Sequence, residues 1–280
     1  MKAREYVRPS EVAEALRLAG QVERSRYICG GTDLVLAAER FDRVIDISRL
    51  GLRQIREEAE GVWFGAATTI QDLVDWPRSG ELGGGAIRQM AVRFATLPIR
   101  NLATLGGNCA SAVPSADVPP PFMVLGARAR FVTGAGEDRE VPLEELFVGV
   151  RRTLLEENGL LLGLWVPEPA PGTRSVFLDA ARTPGDIVIV NAAVAVTVAD
   201  GRIQAARLAV GAVYPTPLLV KAAGEALIGA AVGDRAAIAA AAEEVAAAVR
   251  PITDHRGTIA YRTAMAQVLV RRALEQALAG

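Results

Sequence analysis

Two segments of the chain place a pair of glycines beside small polar side chains, a combination that suits the binding of an anion. The first glycine segment, residues 28–34, is Ile-Cys-Gly-Gly-Thr-Asp-Leu, and the second glycine segment, residues 104–108, is Thr-Leu-Gly-Gly-Asn. Because glycine has no Cβ, paired glycines let main-chain N–H groups converge on a ligand at close range. Two such segments predict one large anionic ligand that is held from two sides.

Side chains near the glycine pairs add further hydrogen-bonding groups. Thr32, Thr104 and Ser111 carry hydroxyls, and Asn108 carries an amide. Asp117 carries a carboxylate that can hold ribose hydroxyls or a donor nitrogen. Neither pair has the Gly-Lys-Ser/Thr ending of a Walker A loop, and the three-glycine Rossmann spacing is absent, so both of these nucleotide sites are excluded. On spacing alone, each pair is also compatible with a structural turn.

The composition excludes several other classes of site. Lys plus Arg number 31 against 32 for Asp plus Glu, and this balance argues against a general nucleic-acid binder. The 280 residues include two cysteines, Cys29 and Cys109, and one histidine, His255, too few for an iron–sulfur cluster or a Cys/His zinc site. Redox chemistry would therefore need an organic cofactor. The N-terminus lacks a signal-peptide pattern and no apolar run reaches about 18 residues, so we expect a cytoplasmic protein without a membrane span.

Strands and helices that must position these residues are predicted in separate blocks, which favours an α+β fold. An Asp200-Gly201 pair between two apolar runs predicts a type I′ hairpin, and the second glycine segment falls in a predicted loop over residues 97–113. A Pro-rich passage at residues 167–172 marks the best domain boundary. Helices are predicted over residues 10–18, 33–40, 85–95, 116–125, 235–249 and 258–279, and strands over residues 26–29, 43–47, 61–65, 129–133, 160–166, 187–198 and 202–210.

The glycine segments also belong to a set of motifs that spans nearly the whole chain. Residues 29–34 match a motif that is usually Ala-Gly-Gly-Thr-Asp-Leu, and the run Arg-Asn-x-Ala-Thr-x-Gly-Gly-Asn, followed by Pro-x-x-Asp, is highly specific. On these motifs the chain resembles the flavin-binding (medium) subunit of molybdenum hydroxylases, the family of carbon monoxide dehydrogenase and xanthine dehydrogenase. The matching stretches are residues 29–34, 64–69, 99–108, 114–117, 211–217, 261–262 and 268–274.

The resemblance implies an α+β fold with two domains. Residues 1–170 would form an FAD-binding domain of the PCMH/vanillyl-alcohol-oxidase type, with subdomains of about residues 1–55 and 56–170. Residues 171–280 would form a smaller C-terminal α+β domain, with a three-stranded-type sheet and helices, beside the flavin ring.

The resemblance also implies which residues hold FAD. Both glycine segments would supply main-chain donors to the pyrophosphate, and other matching positions would contact the flavin. Phe94 and Leu161 are equally compatible with a core role, and Ile187 with a buried strand. The implied cofactor-binding residues are Ile28, Cys29, Gly30, Gly31, Thr32, Asp33, Leu34, Phe94, Thr104, Leu105, Gly106, Gly107, Asn108, Asp117, Leu161 and Ile187.

One position departs from the family pattern. The family usually has a lysine shortly before an arginine-bearing turn, whereas this chain has Leu178 and Asp179 there. Neither side chain donates a charge-assisted hydrogen bond to the flavin ring. Arg182 is the nearest cation in sequence that could substitute for the lysine.

The function implied by the resemblance is electron transfer. FAD would take electrons from a [2Fe-2S] small subunit, which is supplied by a molybdopterin-containing large subunit, and would pass them to NAD+ or another acceptor. No metal ligand and no acid–base catalytic residue is expected in this chain, because the redox chemistry belongs to the cofactor. The alternatives are a stand-alone FAD oxidoreductase and a flavin-free scaffold subunit.

Overall fold

The N-terminal block of the computed structural model is a small parallel sheet with one helix. The structure describes residues 1–36, 39–155 and 158–279. In the sheet, β3 lies between β1 and β2 and pairs with both in parallel. The helix buries Ala15 and Ala19 in the same small core as Ile45 of β3. The elements of this block are β1 (Lys2–Val7), α1 (Val12–Ala19), β2 (Ser25–Ile28) and β3 (Arg40–Asp46).

The middle block is a five-stranded antiparallel sheet covered by short helices. Its elements are β4 (Ile55–Glu58), β5 (Gly61–Gly65), α2 (Ile70–Asp75), α3 (Ala86–Arg93), α4 (Leu97–Arg100), α5 (Leu105–Ser111), α6 (Pro119–Val124), β6 (Arg128–Val132), β7 (Asp138–Pro142), β8 (Phe147–Gly149), β9 (Arg152–Thr153) and β10 (Leu160–Pro167). The strand order is β4-β5-β10-β6-β7. Val62 and Phe64 of β5 are fully buried, and Phe64 packs edge-on against Trp76 and Phe122 beneath the sheet.

The C-terminal block is an antiparallel sheet with helices. Its elements are β11 (Thr173–Ala180), β12 (Val190–Ala199), β13 (Arg202–Gly211), β14 (Leu218–Leu219), α7 (Lys221–Glu225), α8 (Arg235–Ala248) and α9 (Ile259–Leu278). Three long strands form the sheet, and the two-residue β14 extends it. Asp200 and Gly201 both have positive φ, 51° and 70°, so the predicted type I′ hairpin is confirmed.

Both faces of the C-terminal sheet are buried. One face packs on α8 and α9, where Val194 and Leu208 are fully buried. On the opposite face, Phe177 and Ala193 enter the same core as Phe64 of the middle block. A sheet whose two faces are both apolar joins its neighbours by hydrophobic burial, so the C-terminal block is fixed to the middle block by a shared core.

Several sequence predictions about local structure differ from the observed fold. The helix predicted over residues 33–40 is wrong, because only Leu34–Leu36 form a 3₁₀ turn and Arg40 already pairs in β3. Residues 37–38, which fall within that prediction, lie outside the described residues. The helix predicted over residues 10–18 begins later, at Val12, without the Ser10 side chain as a cap. At Arg40, tertiary strand pairing overrides local propensity.

The predicted loop over residues 97–113 is also wrong, since α4 and α5 occupy most of it. Thr104 caps α5, and this cap offsets the low helix propensity of the glycine pair that follows. Within the part of the chain that the structure describes, no helix combines the length and apolar character needed to cross a bilayer.

Candidate functional site

The first glycine segment leaves β2 with its main-chain donors free. In the described part of the chain, none of the N–H groups from Cys29 to Leu34 donates a hydrogen bond to another residue. Gly31 has φ of 66°, in the left-handed region that glycine tolerates, and its carbonyl accepts from Val35 N–H at 2.9 Å. Consecutive free N–H groups next to a left-handed residue form an anion-binding concavity.

The two glycine segments lie against each other. A Cβ on Gly30 would overlap the main-chain carbonyl of Leu102, two residues before the second glycine segment. Because the obstacle is backbone, no side-chain rotation could relieve it. The absence of a side chain at position 30 is therefore what brings the two segments together.

The second glycine segment is the first turn of α5, and its N–H groups already have acceptors. Thr104 Oγ1 accepts from Gly107 N–H at 3.1 Å, and the Thr104 carbonyl accepts from Asn108 N–H at 3.0 Å. Leu105 N–H donates to the Thr68 carbonyl at 2.9 Å, and Gly106 N–H donates to the Ala66 carbonyl at 2.8 Å. The expectation that residues 105–108 offer free donors therefore differs from the structure.

The two glycines of the second segment have different surroundings. A Cβ on Gly106 would lie 2.6 Å from Ala66 Cβ, so this glycine lets α5 pack directly on the residue that follows β5. Gly107 is exposed. Apart from its own helix and chain neighbours, the only described atom within 4 Å of a Cβ there would be Thr104 Oγ1, at 2.9 Å. Gly106 is thus a packing glycine, whereas Gly107 keeps an accessible surface open.

Asn108 links the second glycine segment to the Asp117 region. Its Oδ1 accepts from Val118 N–H at 3.1 Å, and its carbonyl accepts from the Ser111 hydroxyl at 3.0 Å. These bonds hold the residue after Asp117 beside α5. The Asn108 amide oxygen, a candidate ligand group in the sequence, therefore already accepts a hydrogen bond within the protein.

Asp117 is held from the C-terminal sheet. Asn191 Nδ2 on β12 donates to Asp117 Oδ1 at 2.8 Å. Burial raises the pKa of Asp117 to about 7; the hydrogen bond from Asn191 opposes the rise, and the negative charge of Asp179 adds to it. A carboxyl group with this pKa titrates near neutrality, so its charge depends on how its neighbours are arranged.

The position of the missing lysine is occupied by an ion pair. Asp179, on β11, pairs with Arg93 at the end of α3, while Leu178 packs against the core of the C-terminal block. Arg182 pairs instead with Asp186, at 3.2 Å and in an exposed position. The nearest candidate cation is therefore already engaged with a carboxylate.

Phe94 and Ile187 come from neighbouring loops. Phe94 directly follows α3 and packs partly on the middle core. Ile187 lies before β12 rather than in it, and it is 51% exposed, so the buried-strand alternative is wrong. A Cβ on Gly185 would lie 2.8 Å from the Ala95 carbonyl oxygen, which places the turn before Ile187 against the residue after Phe94.

A buried arginine fixes the start of β12. Arg262 Nη1 donates to the Ile189 carbonyl at 2.6 Å and to the Ala212 carbonyl at 2.9 Å, and Nη2 contacts Asp254 at 2.7 Å. Although burial opposes ionisation of Asp254, hydrogen bonds from two main-chain N–H groups and from Arg262 lower its pKa to about 2. The loop that carries Ile187 is thereby anchored at its C-terminal end.

The remaining predicted site residues fall into three groups. Leu105 and Leu161 are buried in the middle core, so their side chains face the protein interior. Burial raises the pKa of Cys29, and it raises the pKa of Cys109 to about 12, so neither thiol is a ready thiolate. The remaining members of the first glycine segment lie at the end of β2 or in the turn after it: Ile28, Thr32, Asp33 and Leu34.

Sequence reasoning missed Asn191. This residue is 0% exposed and interrupts an apolar strand. A lone amide in an apolar run is a usable signal, because a buried polar group requires a partner. Arg93 was missed as well, and nothing in its local sequence points to Asp179.

Comparisons with known proteins agree on one family. A family model described as "FAD binding domain in molybdopterin dehydrogenase" matches residues 2–169, and "CO dehydrogenase flavoprotein C-terminal domain" matches residues 175–277. The carbon monoxide dehydrogenase medium chain of Afipia carboxidovorans is 33% identical over 283 residues, covering 98% of this chain and 96% of that one.

Two solved structures share the fold over almost the full length. A cyanide-inactivated Cu,Mo-CO dehydrogenase superposes with a TM-score of 0.93 at 32% identity, over 99% of this chain and 98% of the matched chain. Quinoline 2-oxidoreductase from Pseudomonas putida 86 gives a TM-score of 0.90 at 27% identity, over 99% and 97%.

Proposed function

The chain belongs to the FAD-binding family of molybdopterin dehydrogenases, and we propose that it is the electron-transfer subunit of a heteromeric molybdenum hydroxylase. Its cofactor is FAD, and the family is one of oxidoreductases. We infer that it receives electrons from a [2Fe-2S] small subunit, itself supplied by a molybdopterin-containing large subunit, and delivers them to NAD+ or another acceptor. The relatives' designation as medium chains supports additional subunits.

The observation that carries the proposal is the run of free N–H groups in the first glycine segment, where Gly30 lies against the Leu102 carbonyl just before the second segment. These groups fit the pyrophosphate of FAD, which needs several donors at close range. Donors come from residues 29–34 in this proposal, while the second glycine segment supplies an unobstructed surface. The second segment's own N–H groups stay bonded within the protein.

The other predicted residues have assigned roles in the same proposal. Asp117 accepts hydrogen bonds from ligand hydroxyls through the oxygen that Asn191 does not occupy. Phe94 and Ile187 face the flavin ring with apolar surface from two neighbouring loops. Leu161 acts through its main chain, since its side chain is in the core. When bound, FAD supplies the redox chemistry, and the protein binds it, orients it and limits access to it.

Reconstitution of the purified full chain with FAD tests the proposal. We expect stoichiometric flavin with a protein-bound absorbance spectrum. Co-expression with a cluster subunit and a molybdenum subunit should then yield a complex in which an oxidisable substrate bleaches the flavin, and NAD+ or another acceptor restores its colour. A chain that never retains flavin would support the scaffold alternative. A flavoprotein that oxidises substrate without partners would support the stand-alone one.

A further inference from the structure

Asn191 connects the C-terminal sheet to the segment that carries Asp117. It is 0% exposed, and its Nδ2 donates to Asp117 Oδ1 at 2.8 Å and to the Ala116 carbonyl at 3.3 Å. Both acceptors belong to the middle block, whereas Asn191 belongs to β12. One side-chain amide therefore sets the position of a carboxylate across the boundary between two blocks.

The strand next to β12 is shaped around this amide. Gly211 on β13 pairs directly with Asn191, and a Cβ at Gly211 would overlap the Asn191 amide oxygen. That oxygen is buried and has no hydrogen-bond partner among the described residues. A buried acceptor without a partner carries a free-energy cost. The presence of asparagine at position 191 despite this cost indicates that its Nδ2 donor has a role that an apolar side chain would not fill.

The Asp117 segment is held at both ends. Ala212, next to Gly211, donates its N–H to the Pro114 carbonyl at 2.6 Å. At the other end, Val118 N–H donates to Asn108 Oδ1 at 3.1 Å. The backbone is thus fixed, and the remaining freedom is the rotation of the Asp117 side chain, which Asn191 restricts.

We propose that Asn191 is a positioning residue for Asp117, so that the C-terminal block sets the affinity of the FAD site. The inference rests on the proposed function, because it requires Asp117 to touch the bound nucleotide. Asn191 holds one carboxylate oxygen and leaves the other directed at ligand hydroxyls. It also supplies the hydrogen bond that keeps the ionised form accessible beside the negative charge of Asp179.

The first test replaces Asn191 with leucine, which has a similar volume and no polar atoms. FAD affinity, measured by quenching of flavin fluorescence on the full chain, should fall about tenfold or more, the effect of one lost hydrogen bond to a charged group. The melting temperature of the FAD-free protein should change little, because removal of the unpartnered Asn191 oxygen offsets the loss of a donor to Asp117 Oδ1 and the Ala116 carbonyl. Lost stability with unchanged affinity would overturn the proposal and leave Asn191 with a structural role.

A double-mutant cycle isolates the path through Asp117. In an Asp117→Ala background, Asn191→Leu should leave FAD affinity unchanged, because the group it positions is absent. Full additivity of the two losses would refute the inference. Gly211→Ala provides an independent variant, since its Cβ displaces the Asn191 amide, and it should weaken FAD binding in the same direction if the leucine variant folds poorly.

Arg207→Ala is the matched control. Arg207 also links the blocks, donating to the Met123 carbonyl at 3.1 Å and contacting Glu144 at 3.2 Å, but it has no contact with Asp117. This variant should melt at a lower temperature and bind FAD normally. An equal affinity loss in Arg207→Ala would show that general loosening of the blocks is responsible. If the unaltered chain binds no FAD, the proposed function fails. If the unaltered chain binds FAD and the Asn191→Leu variant binds it with the same affinity, only this inference fails.

Discussion

The two glycine segments look alike in sequence and differ in what their backbones offer. In the first, the N–H groups of residues 29–34 have no acceptor among the described residues, and the chain turns with a left-handed glycine. In the second, a threonine cap and two carbonyls from residues 66 and 68 occupy the N–H groups of a helix turn. Similar glycine pairs can therefore leave their N–H groups free or bonded within the protein, and we propose that only the first pair donates to FAD.

The largest effect is expected at the contact between the segments. Gly30→Ala would force a Cβ into the Leu102 carbonyl, which only a backbone shift can relieve. We expect a loss of about 3 kcal/mol in the free energy of unfolding together with loss of FAD retention. Chemical denaturation and flavin content after reconstitution measure the two effects. A stable Gly30→Ala variant with normal flavin content would show that the close contact between the two glycine segments is not required for folding or for FAD binding.

Valine at Gly106 and Gly107 separates packing from access. Gly106→Val should destabilise the fold by about 1–3 kcal/mol, because its side chain would enter the space of Ala66. Gly107→Val should abolish FAD retention, and because its Cβ meets only the Thr104 hydroxyl, it should cost no more stability than loss of that cap, about 1 kcal/mol. Normal flavin content in Gly107→Val would remove the second segment from the pyrophosphate site.

Thr104 and Thr32 should respond differently to replacement by alanine. Thr104→Ala removes the cap of α5 and should reduce stability by about 1 kcal/mol. Thr32→Ala lies in the segment with free donors, where its hydroxyl has no described protein partner, so it should weaken FAD binding and leave the melting temperature unchanged. Thermal melts and FAD titrations measure both effects. If Thr104→Ala weakened FAD binding and Thr32→Ala lowered the melting temperature, the roles assigned to the two segments would be wrong.

A further test is a pH dependence of stability carried by Asp117, beside the second segment. Its pKa, raised by burial to about 7 from an ordinary value near 4, means that the folded state binds the proton more tightly than the unfolded state. Stability of the FAD-free protein should therefore fall as pH rises from about 4 through 7, with a slope of about 0.7 kcal/mol per pH unit near neutrality.

Asp117→Asn should flatten that slope, as measured by denaturation between pH 5 and 8. Asp254 acts in the opposite sense: with a pKa lowered to about 2, its contribution is present above pH 4 and is lost as pH falls towards 2. If the slope of stability against pH near neutrality were unchanged in Asp117→Asn, a group other than Asp117 would be responsible for it.

Much of the fold was predictable because its signals are local. Asp200-Gly201 predicted the hairpin, and Thr258 predicted the start of α9. The apolar run at residues 61–65 became β5 with the predicted bounds. The domain boundary near residue 170 stays a prediction, as do the individual FAD contacts. Family motifs identified the cofactor, which the comparisons confirm.

Long-range pairing was not predictable. Arg93 and Asp179 form an ion pair between α3 and β11, and Asn191 reaches Asp117 from a different block. The two residues of each pair are far apart in sequence, so composition and periodicity do not predict that they meet. The helix predicted over residues 33–40 was wrong for a related reason, since the strand pairing of β3 depends on β1 and β2.

From the sequence alone we predicted an α+β fold and one large cofactor held by two glycine pairs and a carboxylate; the fold and the cofactor are confirmed, and the individual contacts stay predictions. Residue types decide those properties: the missing Cβ, the threonine cap and the alternation of apolar residues act within a few positions of themselves. Which pair keeps free N–H groups depends instead on long-range contacts. The acceptors that occupy the second pair lie on residues 66 and 68, brought there by folding, while no such acceptors meet residues 29–34 in the described chain.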